Sequence, residues 1–187
     1  MDIEPIEYKV KYRNIKHPRL EFKSGILEII MPFGKDPRDI IAKHHSWICR
    51  TKILIEKSII SSKEMHLAIR NKYEFRQLVV ELADIYAKEL RASINKIFFR
   101  KMRTKWASCS GRKNLTINTI MEHLPRKLIE YIIYHEIAHL IEKHHNAHFW
   151  RIVSAKFKSY RKYEAALFSY WFKIINFQKG QILINYI

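Results

Sequence analysis

An α+β fold, with a small antiparallel or mixed sheet packed on helices, is what this sequence predicts, and three observations predict it. Short, strand-like stretches punctuated by Pro and Gly open the chain between Tyr8 and Met31. No Gly or Pro then occurs from Arg38 to Ser110, which leaves room for long helices. Two further strand-like runs follow, and after them comes a helix that begins at Pro125. With 48% apolar and 13% aromatic residues in 187, the chain can fill a core, and global disorder is excluded.

Each element has its own signal. Tyr8-Lys-Val10-Lys-Tyr12 alternates, Leu20-Glu-Phe22 follows Pro18, and Gly25 leads into Ile26–Met31, so three short strands are expected. Pro32, Gly34 and Pro37 punctuate the chain and set a helix start between Asp36 and Asp39. Ile40, Ile41, His44, Trp47, Ile48, Thr51, Leu54 and Ile55 recur at helical spacing and predict a first helix. Phe75, Leu78, Val79, Leu82, Ile85, Tyr86 and Leu90 predict a second. Lys96–Arg103 and Leu115–Ile120 read as two strands flanking a long hairpin loop, Trp106–Lys113. The third helix runs from Pro125 through Leu128, Ile129, Ile132 and Ile133 to Leu140. A fourth, interrupted helix spans about Phe149 to Phe177, and Gly180 precedes a short apolar tail. Without repeats or low-complexity linkers, one domain over 1–187 is the economical reading. Its parts are strands in 1–35, helices in 36–95, the hairpin and third helix in 96–163, and a carboxy-terminal helix and tail in 164–187.

Charge is the first functional question. Lys and Arg number 35 against 18 Asp and Glu, a formal charge of +17. Between Glu89 and Glu122 there is no acid, while Arg91, Lys96, Arg100, Lys101, Arg103, Lys105, Arg112 and Lys113 fall in that interval. Such a stripe suits an anionic substrate or nucleic acid, and equally a solvated cationic surface. No helix-turn-helix spacing, RNA-recognition signature or zinc-finger cysteine pattern sharpens the choice. The amino-terminal stretch lacks an apolar run of signal-peptide length, and Ala165–Phe177 is too short to span a membrane. Cys49 and Cys109 are expected as free thiols, and the expected location is cytoplasmic, without a membrane partner.

The chemistry concentrates in one window. Ten histidines over 187 residues give fewer than one per 14 residues, yet His135, His139, His144, His145 and His148 share such a window. His135-Glu136-Ile137-Ala138-His139 is an H-E-x-x-H pattern, preceded by the apolar run Leu128–Tyr134. On a helix, residues four apart lie one above the other, so both imidazoles can hold one cation. Glu136, about 100° round the helix, can reach water at that cation. A catalytic zinc needs a third protein ligand and an open position. Glu142, His144, His145 and His148 are the downstream candidates. None can close a tetrahedron from the same helix, so the helix must end near Lys143 and turn back, with Asn146 suited to such a turn. On spacing His145 leads, ten positions after His135 as in the H-E-x-x-H-x-x-G-x-x-H proteins, with Glu142 in place of their turn glycine.

These residues together resemble the YgjP-like metallopeptidase family, metal-dependent hydrolases akin to SprT-like and minimal zincin proteases. Tyr8–Pro32 is similar to its amino-terminal strands and Ile40–Ile48 to its first helix. Trp106-Ala-Ser-Cys-Ser110 with Asn114 and Asn118 is similar to its W-G-S-C-S…N…N hairpin, with Ala107 replacing the glycine. His135–His139, His145 and Phe149-Trp150 resemble its H-E-x-x-H-x5-H-x3-F-W signature. The resemblance implies a zincin-like fold, Zn2+ on His135, His139 and His145, and Glu136 as general base. It leaves the stretch after about Tyr163 without a counterpart.

Other residues rank lower. Cys109 is expected to be a packed or loop cysteine, and Trp106 a core anchor of the hairpin. His44 and His45 are not expected to be ligands. Asn118 is a candidate to orient a ligand or substrate. Arg100, Arg103 and Lys105 favour anionic substrates if they face the cleft, or else form a solvated strand edge. Three function classes therefore stand: a zinc peptidase acting on peptides or proteins, a metal-dependent hydrolase of nucleotides or phosphate esters, and a nonenzymatic nucleic-acid-binding protein with a structural metal. Glu136 speaks against the third, since a structural site needs no base.

Overall fold

The computed structural model describes residues 7–23 and 26–184. The strand-opening Gly25 and the end of the apolar tail, residues 185–187, lie outside them. Contacts group the chain into two compact units, Met1–Lys63 and Glu64–Ile187.

In the first unit the three expected strands form, β1 (Tyr8–Tyr12), β2 (Arg19–Lys23) and β3 (Ile26–Met31). β3 is central, parallel to β1 and antiparallel to β2. Its near-continuous apolar run suits a strand with neighbours on both edges, and Leu27, Ile29, Ile30 and Met31 are all buried. Helix α1 (Pro37–Glu64) starts at the proline, whose missing N–H costs nothing in a first turn. Ile48 of α1 joins Leu27, Ile29 and Met31 in one core, with Ile40 and Ile41 packed against it. The helix kinks at His44, where φ is −111° and ψ 15°.

The second unit holds the rest. Helix α2 (Lys72–Glu89) opens on a capping box: the Asn71 side chain accepts from the N–H groups of Tyr73 and Glu74, and the Glu74 carboxylate accepts from Asn71 N–H. Then come β4 (Lys96–Arg100), β5 (Ala107–Cys109) and β6 (Asn114–Asn118), in the order β4-β6-β5. Here the expected hairpin is corrected. The runs on either side of Trp106–Lys113 are parallel neighbours, registered Lys96↔Asn114 to Arg100↔Asn118. The hairpin is β5–β6, and it closes through a Ser110–Asn114 backbone pair. Three residues are too few to show a period-2 pattern, so β5 was invisible in the sequence.

A 3-10 turn (Thr119–His123) leads to α3 (Arg126–Ala138), capped by Pro125. α4 (Ala147–Lys156) and α5 (Tyr160–Ile184) realise the interrupted fourth helix, broken at residues 157–159, and α5 continues through Gly180. The core of this unit gathers α2, the sheet, α3, α4 and α5, with Ile129, Ile133 and Phe149 fully buried. The fold class is thus α+β, with a small mixed sheet beside the helix that carries the H-E-x-x-H pattern. No helix among the described residues is long and apolar enough to cross a membrane.

Candidate metal centre

Helix α3 is buried along nearly its whole length, from Leu128 to Ala138, so its last turn is held rigidly. The helix ends at Ala138 rather than near Lys143, with His139 as its cap. The carbonyls of Ile137 and Ala138 are taken by the N–H groups of Leu140, Ile141 and Glu142, which tightens the chain into a turn. That turn brings His145 back over α3. Asn146 acts here as the N-cap of α4: its φ is −86°, and its side chain accepts from Phe149 N–H. Asn146 thus serves the turn as a helix cap in ordinary extended backbone.

His135, His139 and His145 converge, with one ring nitrogen from each within 4.8 Å of the others. Nε2 of His145 lies 3.0 Å from Nε2 of His135. Tetrahedral coordination at about 2.0–2.1 Å would place two such nitrogens about 3.3 Å apart. Nδ1–H of His139 donates to the Glu142 carbonyl at 3.1 Å, which leaves its Nε2 with a free lone pair. Burial, with His139 and His145 nearby, pushes the His135 pKa down to about 3, and burial also lowers that of His139. Neutral imidazoles are the state that ligates a cation. The buried Nδ1 of His135 has no hydrogen-bond partner among the described residues. Three convergent imidazoles make a donor set that fits a zinc ion with one position left open.

Aromatic rings set this geometry. Phe149, fully buried, stacks on His139 at 4.5 Å and meets His135 and His145 edge-on. Trp150 stacks on His145 at 5.4 Å, and its Nε1–H donates to the His145 carbonyl. Tyr131, one turn before His135, packs edge-on to it and donates to Glu164 on α5. Periodicity marked Phe149 only as a helix start; its place beneath all three rings comes from the turn.

Glu136 sits on the neighbouring face of α3, beside β5. Burial lifts its carboxyl pKa to about 7, against the pull of the Cys109 backbone N–H and the Lys105 ammonium. The Cys109 thiol, at the end of β5, is driven up to about 11, chiefly by burial, so it is a neutral thiol near Ser110, outside the imidazole cluster. His144 and His148 are exposed and also lie outside it, as do His44 and His45. Glu142 supports the turn: its carboxylate accepts from His144 N–H and lies 3.6 Å from Nδ1 of His148.

Asn118 is fully buried, and its side chain is committed to backbone. It donates to the carbonyls of Met102 and Lys105 and accepts from the N–H of Met102 and Ile120. It thereby fixes the loop that carries Arg103 and Lys105, both exposed. Trp106 packs edge-on against Trp171 of α5 at 4.9 Å, the expected anchoring role.

The family model for the YgjP-like, metallopeptidase domain matches residues 61–170. Two solved structures are similar in part. One is the zymogen of the Pyrococcus abyssi metallopeptidase abylysin, at 25% identity over 42% of this chain and 79% of that one, with a TM-score of 0.40. The other is the zymogen of the Methanocaldococcus jannaschii metallopeptidase jannalysin, at 28% identity over 48% of this chain and 90% of that one, with a TM-score of 0.42. No curated protein matches the chain.

Proposed function

Because the chain belongs to the YgjP-like metallopeptidase domain family, we propose that it is a zinc-dependent peptidase with His135, His139 and His145 as the metal ligands and Glu136 as the general base. The observation that carries this reading is the convergence of three imidazoles beside a buried carboxyl. Zinc held by His135, His139 and His145 would supply a Lewis acid for the scissile carbonyl and would lower the pKa of water toward neutrality. Glu136, with its pKa lifted into the neutral range, takes a proton from the attacking water on its carboxylate and passes it to the departing amine. Lys105 lies close enough to bias that carboxylate toward its charged form. β5 is an edge strand, and its Cys109 N–H is directed at Glu136. An extended peptide pairing with that edge brings its scissile bond alongside the same carboxylate. Phe149 and Trp150 hold the ligand rings in place, and Asn118 holds the Met102–Lys105 loop beside the strand.

The test compares wild type with Glu136→Gln on casein and on nucleoside triphosphates, with zinc. The variant keeps one zinc per chain and loses peptide cleavage by at least about a hundredfold. Normal cleavage by the variant sinks the mechanism, and triphosphate hydrolysis without peptide cleavage moves the assignment to a phosphate-ester hydrolase.

A further inference from the structure

Among the described residues, two non-glycine positions have left-handed backbone, Arg91 at φ 50° and Lys113 at φ 57°. Both stand where glycine is the ordinary solution. Arg91 follows the cap of α2 in a Schellman arrangement: its N–H donates to the Lys88 carbonyl, and the next N–H, of Ala92, to that of Ala87. Lys113 ends the three-residue loop of the β5–β6 hairpin, with its N–H on the Ser110 carbonyl. A long side chain is strained at either place, and such strain persists where the surrounding structure has a use for it.

Arg91, Ala92, Ser93, Lys113, Leu140 and Ile141 line a single pocket of about 250 Å³ that contains none of the three imidazoles. Nζ of Lys113 donates to the Ser93 hydroxyl, also on the pocket lining, at 3.0 Å. Arg91 and Lys113 bound the acid-free segment of the sequence, and among the described residues no carboxylate neutralises either one.

Strand β4 begins beside Lys113. Asn95 N–H donates to the Lys113 carbonyl, and Lys96 registers with Asn114. From there β4, the other edge of the sheet, presents Lys96, Phe98 and Arg100 on one exposed face, with Phe98 46% exposed. An aromatic ring between two cations is a stacking platform flanked by backbone contacts.

We propose that the Arg91–Lys113 pocket and the exposed face of β4 form a binding surface for single-stranded nucleic acid, with a phosphate seated between Arg91 and Lys113 and a base stacked on Phe98. Charge complementarity commits the occupant to a polyanion, and the exposed aromatic commits it to one with free bases. The proposal uses neither the three imidazoles nor Glu136, so the failure of either reading leaves the other standing.

Fluorescence anisotropy with a labelled 20-nucleotide oligothymidine, at several salt concentrations, tests it. Arg91→Gly with Lys113→Gly removes both charges while giving the backbone its preferred residue; the Asn pair, which also tolerates this conformation, is the second variant. Either pair weakens binding at least about tenfold and flattens the salt dependence by about one phosphate contact. Phe98→Ala weakens single-strand binding about tenfold and leaves the salt dependence unchanged. Peptide cleavage is unaltered in all three variants. Wild-type affinity in both charge variants overturns the proposal. So does an equal loss on neutralising Lys16 and Lys35, or equal displacement of the oligonucleotide by polyglutamate. Insensitivity to Phe98→Ala, with duplex bound as tightly as single strand, overturns the stacking assignment.

Discussion

Burial acts in opposite directions on two neighbouring groups of α3. It keeps His135 neutral down to about pH 3 and keeps the Glu136 carboxyl protonated up to about pH 7, from ordinary values of 6.5 and 4.5. For a carboxyl raised in the fold, the stability it contributes is fully present below about pH 4.5 and is lost as pH rises through about 7. For a histidine depressed in the fold, the contribution is present above pH 6.5 and is lost as pH falls toward 3. In metal-free protein, Glu136→Gln therefore gains stability over wild type between pH 4.5 and 7, by up to about 3 kcal/mol, and no more above that. Because His135 is common to both proteins, its effect cancels. Urea midpoints at pH 5 and pH 8 in chelator measure the difference, and a pH-independent gap refutes the burial argument. Residue chemistry of this kind was partly legible beforehand, since Glu136 and the imidazoles were marked by pattern. The backbone duties of Asn118 were not, because its partners at Met102 and Lys105 lie 13 to 16 positions away.

At the scale of elements, the turn between α3 and α4 decides whether a third imidazole joins the other two. Helix α3 stops at Ala138 because His139 and the next residues spend their hydrogen bonds on tightening, and α4 restarts under the Asn146 cap. The cap and the Trp150 indole together hold the chain on both sides of His145. Asn146→Ala is expected to cost about 1 kcal/mol of stability, the usual loss of a helix cap. It is expected to weaken zinc about tenfold, as loss of a group that orients a ligand does. Chelator competition reads the second effect, and unchanged zinc affinity would show that Trp150 suffices alone. The sheet gives a complementary lesson. Alternation located β4 and β6, but their parallel pairing follows from β5 inserting as the hairpin partner, and a three-residue strand leaves no periodic trace.

For the whole molecule, the question is how much of its stability is linked to a cation. The imidazole cluster joins the end of α3 to the start of α4, so a cation bound there cross-links two elements of the second unit's core. At a hundredfold excess over its dissociation constant, a ligand specific to the folded state adds about 2.7 kcal/mol. For a chain of this size that is roughly 5–10 °C in Tm. Thermal unfolding with zinc and with EDTA checks it, and His145→Ala is expected to abolish the increment. An unchanged Tm on chelation contradicts the metal assignment. The +17 charge acts at this scale too. It does not build the metal centre, but the fold gathers the two ends of its acid-free stretch into one pocket.

By itself the sequence determined the fold class, most helix and strand positions, and the His135, Glu136 and His139 arrangement, because these are local properties. Helical period and i, i+4 spacing need no tertiary information. Only the tertiary structure decided that His145, rather than His144 or His148, meets the other two imidazoles, since that depends on the early end of α3 and the Asn146 cap. It also decided that β4 and β6 run parallel, and that Arg91 and Lys113, 22 positions apart, share a pocket. Those outcomes rest on hydrogen bonds and packing between segments distant in the chain, which no local pattern encodes.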